Sequence, residues 1–372
     1  MILKEITISP QAKTQTFEGF HFLRAIFSIL IVALRSDFIG LIGLLTVASI
    51  GDFLKANIAY VAVPVFLQIS LFLFYFKREQ LGGSYFIRKR LPKLIYLYVF
   101  WVTAIVIFDI FLNKKPDIIR DTTSSVKGLI EFIVSGGSSP FFFFFALIFL
   151  ISLAEGFVLS QESRAFSKNI KLAYSLLFIS CLIVCCFSFI DLTINNIFSG
   201  NPPSLLKVIH NITKWDYNPL NFLPYVFTAA ITFHEFEQGK MQSLTPKFRI
   251  KLCLLFALFI VFTILEWSFR EDFRSYARLS LAFGSWLLLY LSLILSNPVP
   301  KVIKFLSGCS LGIYAFHVFF VDYSGWLDQL SWGTSSQSSA SAAILIKFSF
   351  ALVASILLTL GFRKNGFLKN FV

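Results

Sequence analysis

The chain has 372 residues, of which 56% are hydrophobic and only 14% charged, and its formal net charge is +13. About a quarter of a soluble domain's residues carry charge, so this composition excludes an ordinary soluble fold and describes a polytopic integral membrane protein. Positive excess in a soluble chain would suggest nucleic acid, but here the lysines and arginines cluster between apolar runs, so the charge is a topological signal and no nucleic-acid partner is expected.

Apolar runs of about 17 to 25 residues cross a bilayer as helices. They predict ten spans, near 20–38, 58–76, 94–113, 141–159, 172–190, 220–236, 250–268, 277–295, 305–323 and 342–361. The fold class expected is therefore all-α, with about ten transmembrane helices. The stretch 39–50 is apolar enough to be a further span or a re-entrant piece. Loops are marked by "GGS" at 82–84, "SGGSSP" at 135–140, "GNPPS" at 200–204 and the serine-rich 334–341. No internal repeat stands out, which argues against an inverted-repeat transporter. The polar residues 1–19 lead into the first span without a small-residue cleavage site, so they read as a cytoplasmic segment and not a removable signal peptide. One membrane domain is expected over 20–361, followed by a cytoplasmic tail, 362–372. Basic residues concentrate in the segments that are cytoplasmic when both termini are, above all in 77–93, with Arg164 and Lys168 in a later one.

In the first span, Arg24 and Arg35 stand eleven residues apart in an otherwise apolar run. Burying a guanidinium in hydrocarbon costs at least ~2.5 kcal/mol on insertion scales, so two in one span call for a polar cavity or protein partners. Eleven steps of 100° return nearly to the starting angle, which puts both on one helix face about 16 Å apart. This predicts a shared polar cavity, with Arg24 at its cytoplasmic end and Arg35 at its outer end; the simpler alternative is that each snorkels to its own interface. Asp37 is a candidate partner for Arg35 if the helix ends between them. Farther along, Arg88, Lys89, Arg90 and Lys93 form a basic cluster at the cytoplasmic mouth of the third span. Such a cluster can hold phosphates, although cytoplasmic loops are basic for topology alone.

The remaining charges read more blandly. Asp109, Glu155, Asp191 and Glu266 lie near span ends, where a solvated carboxylate is expected. His234, followed by Glu235 and Glu237, reads as a solvated edge, and His210 falls in an exterior loop. Arg270, Arg274 and Arg278 step by four along one face at the outer boundary, suited to an anionic glycan or to a salt-bridged surface with Glu271 and Asp272. The five cysteines, Cys181, Cys185, Cys186, Cys253 and Cys309, sit in apolar segments without ligand spacing, so packing is expected, not metal binding or disulfides.

Four strings carry a resemblance: "FLRAIFSILIVALRSDF", "VAVPVFLQISLFLFY", "YFIRKRLPKLIYLYVFW" and "FLSGCSLGIYAFHVFF". In this order and spacing the chain resembles the acyltransferase-3 family of integral membrane acyltransferases. The resemblance implies a ten-helix core in the cytoplasmic membrane of a bacterium. It also implies transfer of an acyl group, of acetyl or succinyl type, to hydroxyls of cell-surface glycans or polysaccharides. The donor would be acyl-coenzyme A, chiefly acetyl-coenzyme A, used as co-substrate with no bound cofactor. Leu23 and Arg24 match the family's first-span Leu-Arg pair. Arg35 stands where the family carries the histidine taken to be its base, and His21 stands where an acidic residue is common. Arg88, Lys89, Arg90 and Lys93 resemble the family's basic approach to its third helix, and Ser310, Gly312, Tyr314 and His317 retain its "SLGIYAFH" element.

Acyl transfer from a thioester to a hydroxyl needs an acceptor for the hydroxyl proton, typically worth about 10² to 10⁴ in rate. Arginine stays protonated and cannot serve, though Arg35 could bind a phosphate or a developing oxyanion. His317, three residues after Tyr314 on one face of the ninth span, is the candidate replacement base. The substrate-binding set is then Arg24, Arg35, Arg88, Arg90, Lys93 and Tyr314. Two readings follow: a glycan acyltransferase, or a non-catalytic relative that binds or passes an acyl donor or glycan lipid.

Overall fold

The structure is a computed structural model describing residues 17–45, 48–112, 122–137, 140–162, 170–197, 203–204, 215, 217–269, 275–295, 297–321 and 337–372. Residues 1–16, Arg164, Lys168, His210, Arg270, Glu271, Asp272 and Arg274 lie outside them, as does the side chain of Asp191. The described residues contain no strand. The helices in chain order are α1 Glu18–Arg35, α2 Phe38–Leu45, α3 Ala48–Leu54, α4 Ala62–Leu81, α5 Leu91–Phe111, α6 Val126–Ser135 and α7 Phe142–Glu162. They continue as α8 Ile170–Ile197, α9 Leu223–Glu237, α10 Pro246–Phe269, α11 Leu279–Ile294, α12 Lys301–Val321 and α13 Gln337–Lys364.

The described residues of the ten apolar runs are mostly helical, with the first run broken at Ser36–Asp37 between α1 and α2. Among the described residues, seven stretches are long and apolar enough to cross a membrane by length and composition: Gly51–Leu81, Phe86–Phe111, Phe142–Gln161, Ile170–Ser188, Pro246–Phe269, Lys301–Val321 and Ser341–Lys364. This is an integral membrane protein in a bilayer environment. α11 is shorter, and α1 carries three charged side chains, Glu18, Arg24 and Arg35. The stretch 39–50 contributes to α2 and α3, of 8 and 7 residues. At 1.5 Å per residue these reach about 12 Å, well short of the ~30 Å of hydrocarbon, so neither crosses alone. They pack on each other after a turn at Asp37, a non-glycine residue at φ 62°. Asp37 pairs with Lys55, not with the neighbouring Arg35 as the sequence suggested.

Proline starts several helices where its missing N–H costs nothing: Pro92 in α5, Pro224 in α9 and Pro246 in α10. Ser125 caps α6 by accepting a hydrogen bond from the Gly128 N–H at 3.0 Å, and Gly136 ends that helix in the left-handed region at φ 63°. α1 packs most extensively along α12, which packs in turn along α13, while α10 pairs with α11 and α9 lies between α4 and α8. Small residues let backbones approach at these crossings. A Cβ on Gly312 would lie 2.0 Å from Thr359 Oγ1 of α13, and one on Gly19 2.0 Å from the Ser292 carbonyl oxygen of α11.

Several carboxylates expected at solvated edges are instead buried in ion pairs between helices. Glu155 accepts from Arg78 Nε at 2.9 Å, Glu235 from Lys251 Nζ at 2.9 Å, and Glu266 from Arg278 Nε at 2.8 Å. Asp109 and His234 are buried as well. Arg278 is fully buried, not on an outer charged face, and it also donates to the Ala56 carbonyl at 2.8 Å, to Asn57 Oδ1 and to Ser280 Oγ. The physical reason is that a span end next to hydrocarbon offers a carboxylate less water than a loop does. A charge there is least costly when it turns inward onto an opposite charge.

Gly312→Ala should lower the unfolding free energy in detergent by about 1–3 kcal/mol, the usual range for overpacking. Gly156→Ala, at a helix position with open space around it, should be neutral or slightly stabilising. Glu155→Ala removes the carboxylate facing a buried guanidinium and should cost about 3–5 kcal/mol in the same measurement. An unfolding midpoint equal to that of the parent would mean that Arg78 finds water.

Candidate functional site

α1, α4, α5, α7 and α12 enclose a cavity of about 360 Å³ whose lining changes character along its length. At one end stand His21 and Arg24 from α1, with Arg90 and Lys93 from the start of α5. Phe86–Arg90 is wound as a π-helix that leads directly into α5. Arg90 lines the cavity with Lys93, Leu94 and Leu97, at the i, i+3, i+4, i+7 spacing of one helix face, while Arg88 and Lys89 remain exposed. His21 Nδ1 is hydrogen-bonded to Ser307 Oγ of α12 at 3.0 Å. Farther in, the wall becomes apolar, with Leu94 and Leu97 opposite Leu147 and Leu311.

The charges at this mouth are of one sign. Arg24 and Arg90 lie close enough for their fields to act on each other, and Lys77 stands in the same field as Arg24, Arg90 and Lys93. Among the described residues no carboxylate pairs with Arg24, Arg90 or Lys93, whereas Arg78, Lys251, Arg278 and Lys304 each have one. Arg90 Nε is buried without a hydrogen-bond partner. Two guanidinium groups facing one cavity repel each other and favour a multiply charged anion between them.

The opposite end of the cavity is aromatic. Tyr314 of α12 closes it, with ring centroids 5.1 Å from Phe143 and 6.0 Å from Phe144, and its hydroxyl donates to the Pro140 carbonyl. One turn farther along α12, His317 is fully buried. Its Nδ1 lies 3.1 Å from the Ile313 carbonyl oxygen. A carbonyl only accepts, so Nδ1 carries the proton and Nε2 presents a lone pair. Nε2 has no hydrogen-bond partner. Arg35, exposed at the far end of α1, lies close enough to act electrostatically on both Tyr314 and His317.

The structure therefore brings Arg24, Arg90, Lys93 and Tyr314 to one cavity. Arg88 lies outside it, and Arg35 and His317 lie beyond the Tyr314 wall. The shared cavity expected to join Arg24 and Arg35 stops at Tyr314, so the two arginines flank α12 from opposite ends.

A family model described as an acyltransferase domain, that of acyltransferase-3, matches residues 17–362. No curated protein and no solved structure matches the chain.

Several contributors to the cavity carry no sequence signal. Lys77 looks like a topological charge, and Ser307 and Phe143 look like ordinary span residues. The segment after α13 also reaches the cavity: Phe371 stacks on Phe100 with centroids 4.0 Å apart, Trp101 Nε1 donates to its carbonyl at 3.3 Å, and Val372 joins the lining. No periodicity marks such a contact. In a background without native cysteines, Ser307→Cys should react with a membrane-impermeant thiol reagent added on one side of the membrane only, and His317→Cys should stay unreactive from that side. Equal labelling of the two would mean that Tyr314 does not close the cavity.

Proposed function

The chain belongs to the acyltransferase-3 family of membrane acyltransferases, and from that premise we propose that it moves an acyl group from acyl-coenzyme A to a hydroxyl of a cell-surface glycan or polysaccharide. The observation that carries this reading is the pair Arg24 and Arg90, two cavity-lining guanidinium groups of like charge with no carboxylate partner among the described residues. Coenzyme A bears several phosphate charges at one end and a narrow, largely uncharged arm at the other. The basic mouth and apolar interior suit that distribution. The mouth opens to the cytoplasm, where acetyl-coenzyme A is made, and the membrane is the cytoplasmic membrane of a bacterium.

In the transfer, an acceptor hydroxyl attacks the thioester carbonyl, a C–O bond forms, and the C–S bond breaks. The hydroxyl proton passes to a base and then to the departing thiolate. His317 Nε2 is the group with an unused lone pair beside the Tyr314 end of the cavity, and we assign it the base role that an arginine at position 35 cannot take. Arg35, whose charge reaches His317, would stabilise the oxyanion of the tetrahedral intermediate. The acceptor would approach from this outer side and reach the carbonyl past the edge of the Tyr314 ring.

Arg35 also supports a second reading. The resemblance implies a histidine at that position, and a chain that has lost it would bind an acyl donor or glycan lipid without turnover. Titration of purified protein with coenzyme A tests what both readings share. Arg24→Ala and Arg90→Ala should each weaken binding about tenfold to a hundredfold, the range for a hydrogen bond to a charged group. Pantetheine, which lacks the phosphates, should not distinguish the variants from the parent. Turnover of radiolabelled acetyl-coenzyme A separates the two readings. In an enzyme, His317→Ala lowers the rate by about 10² to 10⁴. In a silent relative the parent shows no turnover and only Arg35→His gains it.

A further inference from the structure

We infer that Tyr314 is a specificity-determining residue that limits the donor to short acyl groups, an inference that rests on the donor reading of the same cavity. The cavity runs from the guanidinium groups of Arg24 and Arg90 to the Tyr314 ring. Along α12 its lining extends from Ser307 to Tyr314. The seven rises of 1.5 Å between them give a depth of about 10 Å. The arm of coenzyme A beyond its phosphates is a peptide-like chain with two amides. Its twelve bonds from phosphate oxygen to sulfur equal about four residue lengths of extended backbone, about 14 Å, so it spans the cavity with the phosphates at or just outside the mouth. With the phosphates held at the mouth, the thioester carbonyl arrives against the aromatic wall, and little of the 360 Å³ is left for a chain beyond it.

The wall is held in place. Tyr314 is 4% exposed, its hydroxyl is tied to the Pro140 carbonyl where the chain turns into α7, and Phe143 and Phe144 from that helix pack against its ring. A side chain fixed by a hydrogen bond at its tip and by rings on its faces does not give way to a few methylene groups as a flexible methionine would. Its position also accounts for the separation of His317 from the cavity. The carbonyl stops on one side of Tyr314, with Nε2 of the histidine one helical turn beyond. An acyl chain longer than the space before the ring would hold the thioester back toward the mouth and away from Nε2.

S-alkyl coenzyme A thioethers, which cannot transfer their chain, provide the test. Affinities of ethyl, butyl and hexyl thioethers are measured by calorimetry on the full-length protein in detergent, and the readout is the slope of affinity with chain length. In the parent, affinity should fall at least tenfold from ethyl to hexyl. In Tyr314→Ala it should rise by about fourfold per methylene, the gain for burying a CH₂ in apolar surroundings, until the freed space is filled. Tyr314→Phe keeps the ring and should keep the falling slope. A parent whose affinity climbs steadily through hexyl overturns the proposal without recourse to any variant, and so does a Tyr314→Ala protein that binds the ethyl thioether yet keeps the falling slope. If the parent binds none of the thioethers, and coenzyme A binding is insensitive to Arg24→Ala, the donor reading itself fails and the inference falls with it.

Discussion

A charge inside a bilayer is tolerated when something in the protein answers it, and the helices of this chain are arranged around that constraint. Arg78 meets Glu155 across α4 and α7, Lys251 meets Glu235 across α10 and α9, and Lys304 meets Glu18 across α12 and α1. Arg278 satisfies most of its guanidinium on Glu266, Asn57, Ser280 and the Ala56 carbonyl. Lys251 is further wrapped by Tyr174, Trp286 and Tyr290, with ring centroids 4.9 to 5.6 Å from its ammonium. Each pair ties two helices together. Removing one partner is therefore costly, although the pair as a whole contributes little to stability beyond its own desolvation.

Against that background Arg24 and Arg90 differ in kind. They face a cavity, and the nearest charges that act on them have their own sign. In a protein that otherwise answers its buried charges, a pair left facing space is a site waiting for an anion. α1 is the element that makes this possible. It lies along α12 and also touches α4, α11 and α13. The close approach at Gly19 lets it sit deep in the bundle, so the face bearing Arg24 is turned onto the cavity, while Arg35 at its far end is exposed. Tyr314 then divides that face into an inner portion with Arg24 and an outer portion with Arg35. On the proposed reading, the donor and acceptor sides meet at this ring, where the acceptor hydroxyl has to reach the thioester carbonyl.

The extent to which this was legible differs from residue to residue. The helical membrane class was legible because hydrocarbon imposes one length and one polarity on every crossing segment, and among the described residues seven stretches meet both. Arg24, Arg90 and Lys93 could be singled out because a cation in or beside a span is conspicuous. Arg88 was singled out for the same reason and proved to be exposed, since it lies off the helix face on which Arg90 and Lys93 line the cavity. Glu155, Glu235, Glu266 and Arg278 were misread as solvated because their partners lie on other helices. Arg278 and Ala56, for instance, are 222 positions apart along the chain.

What the sequence determined by itself is therefore the class of the molecule, its helical segments, its family and the short list of cations whose presence in a span demands a reason. Those follow from local composition, which the bilayer reads one helix at a time. Which cations are answered by carboxylates, which two are left facing a cavity, and where Tyr314 ends that cavity were decided only by the way the helices assemble, with α1, α4, α5, α7 and α12 lining one space. Each of these is a relation between residues that meet only once the helices have chosen their neighbours, and a single helix carries no record of the partner it will find.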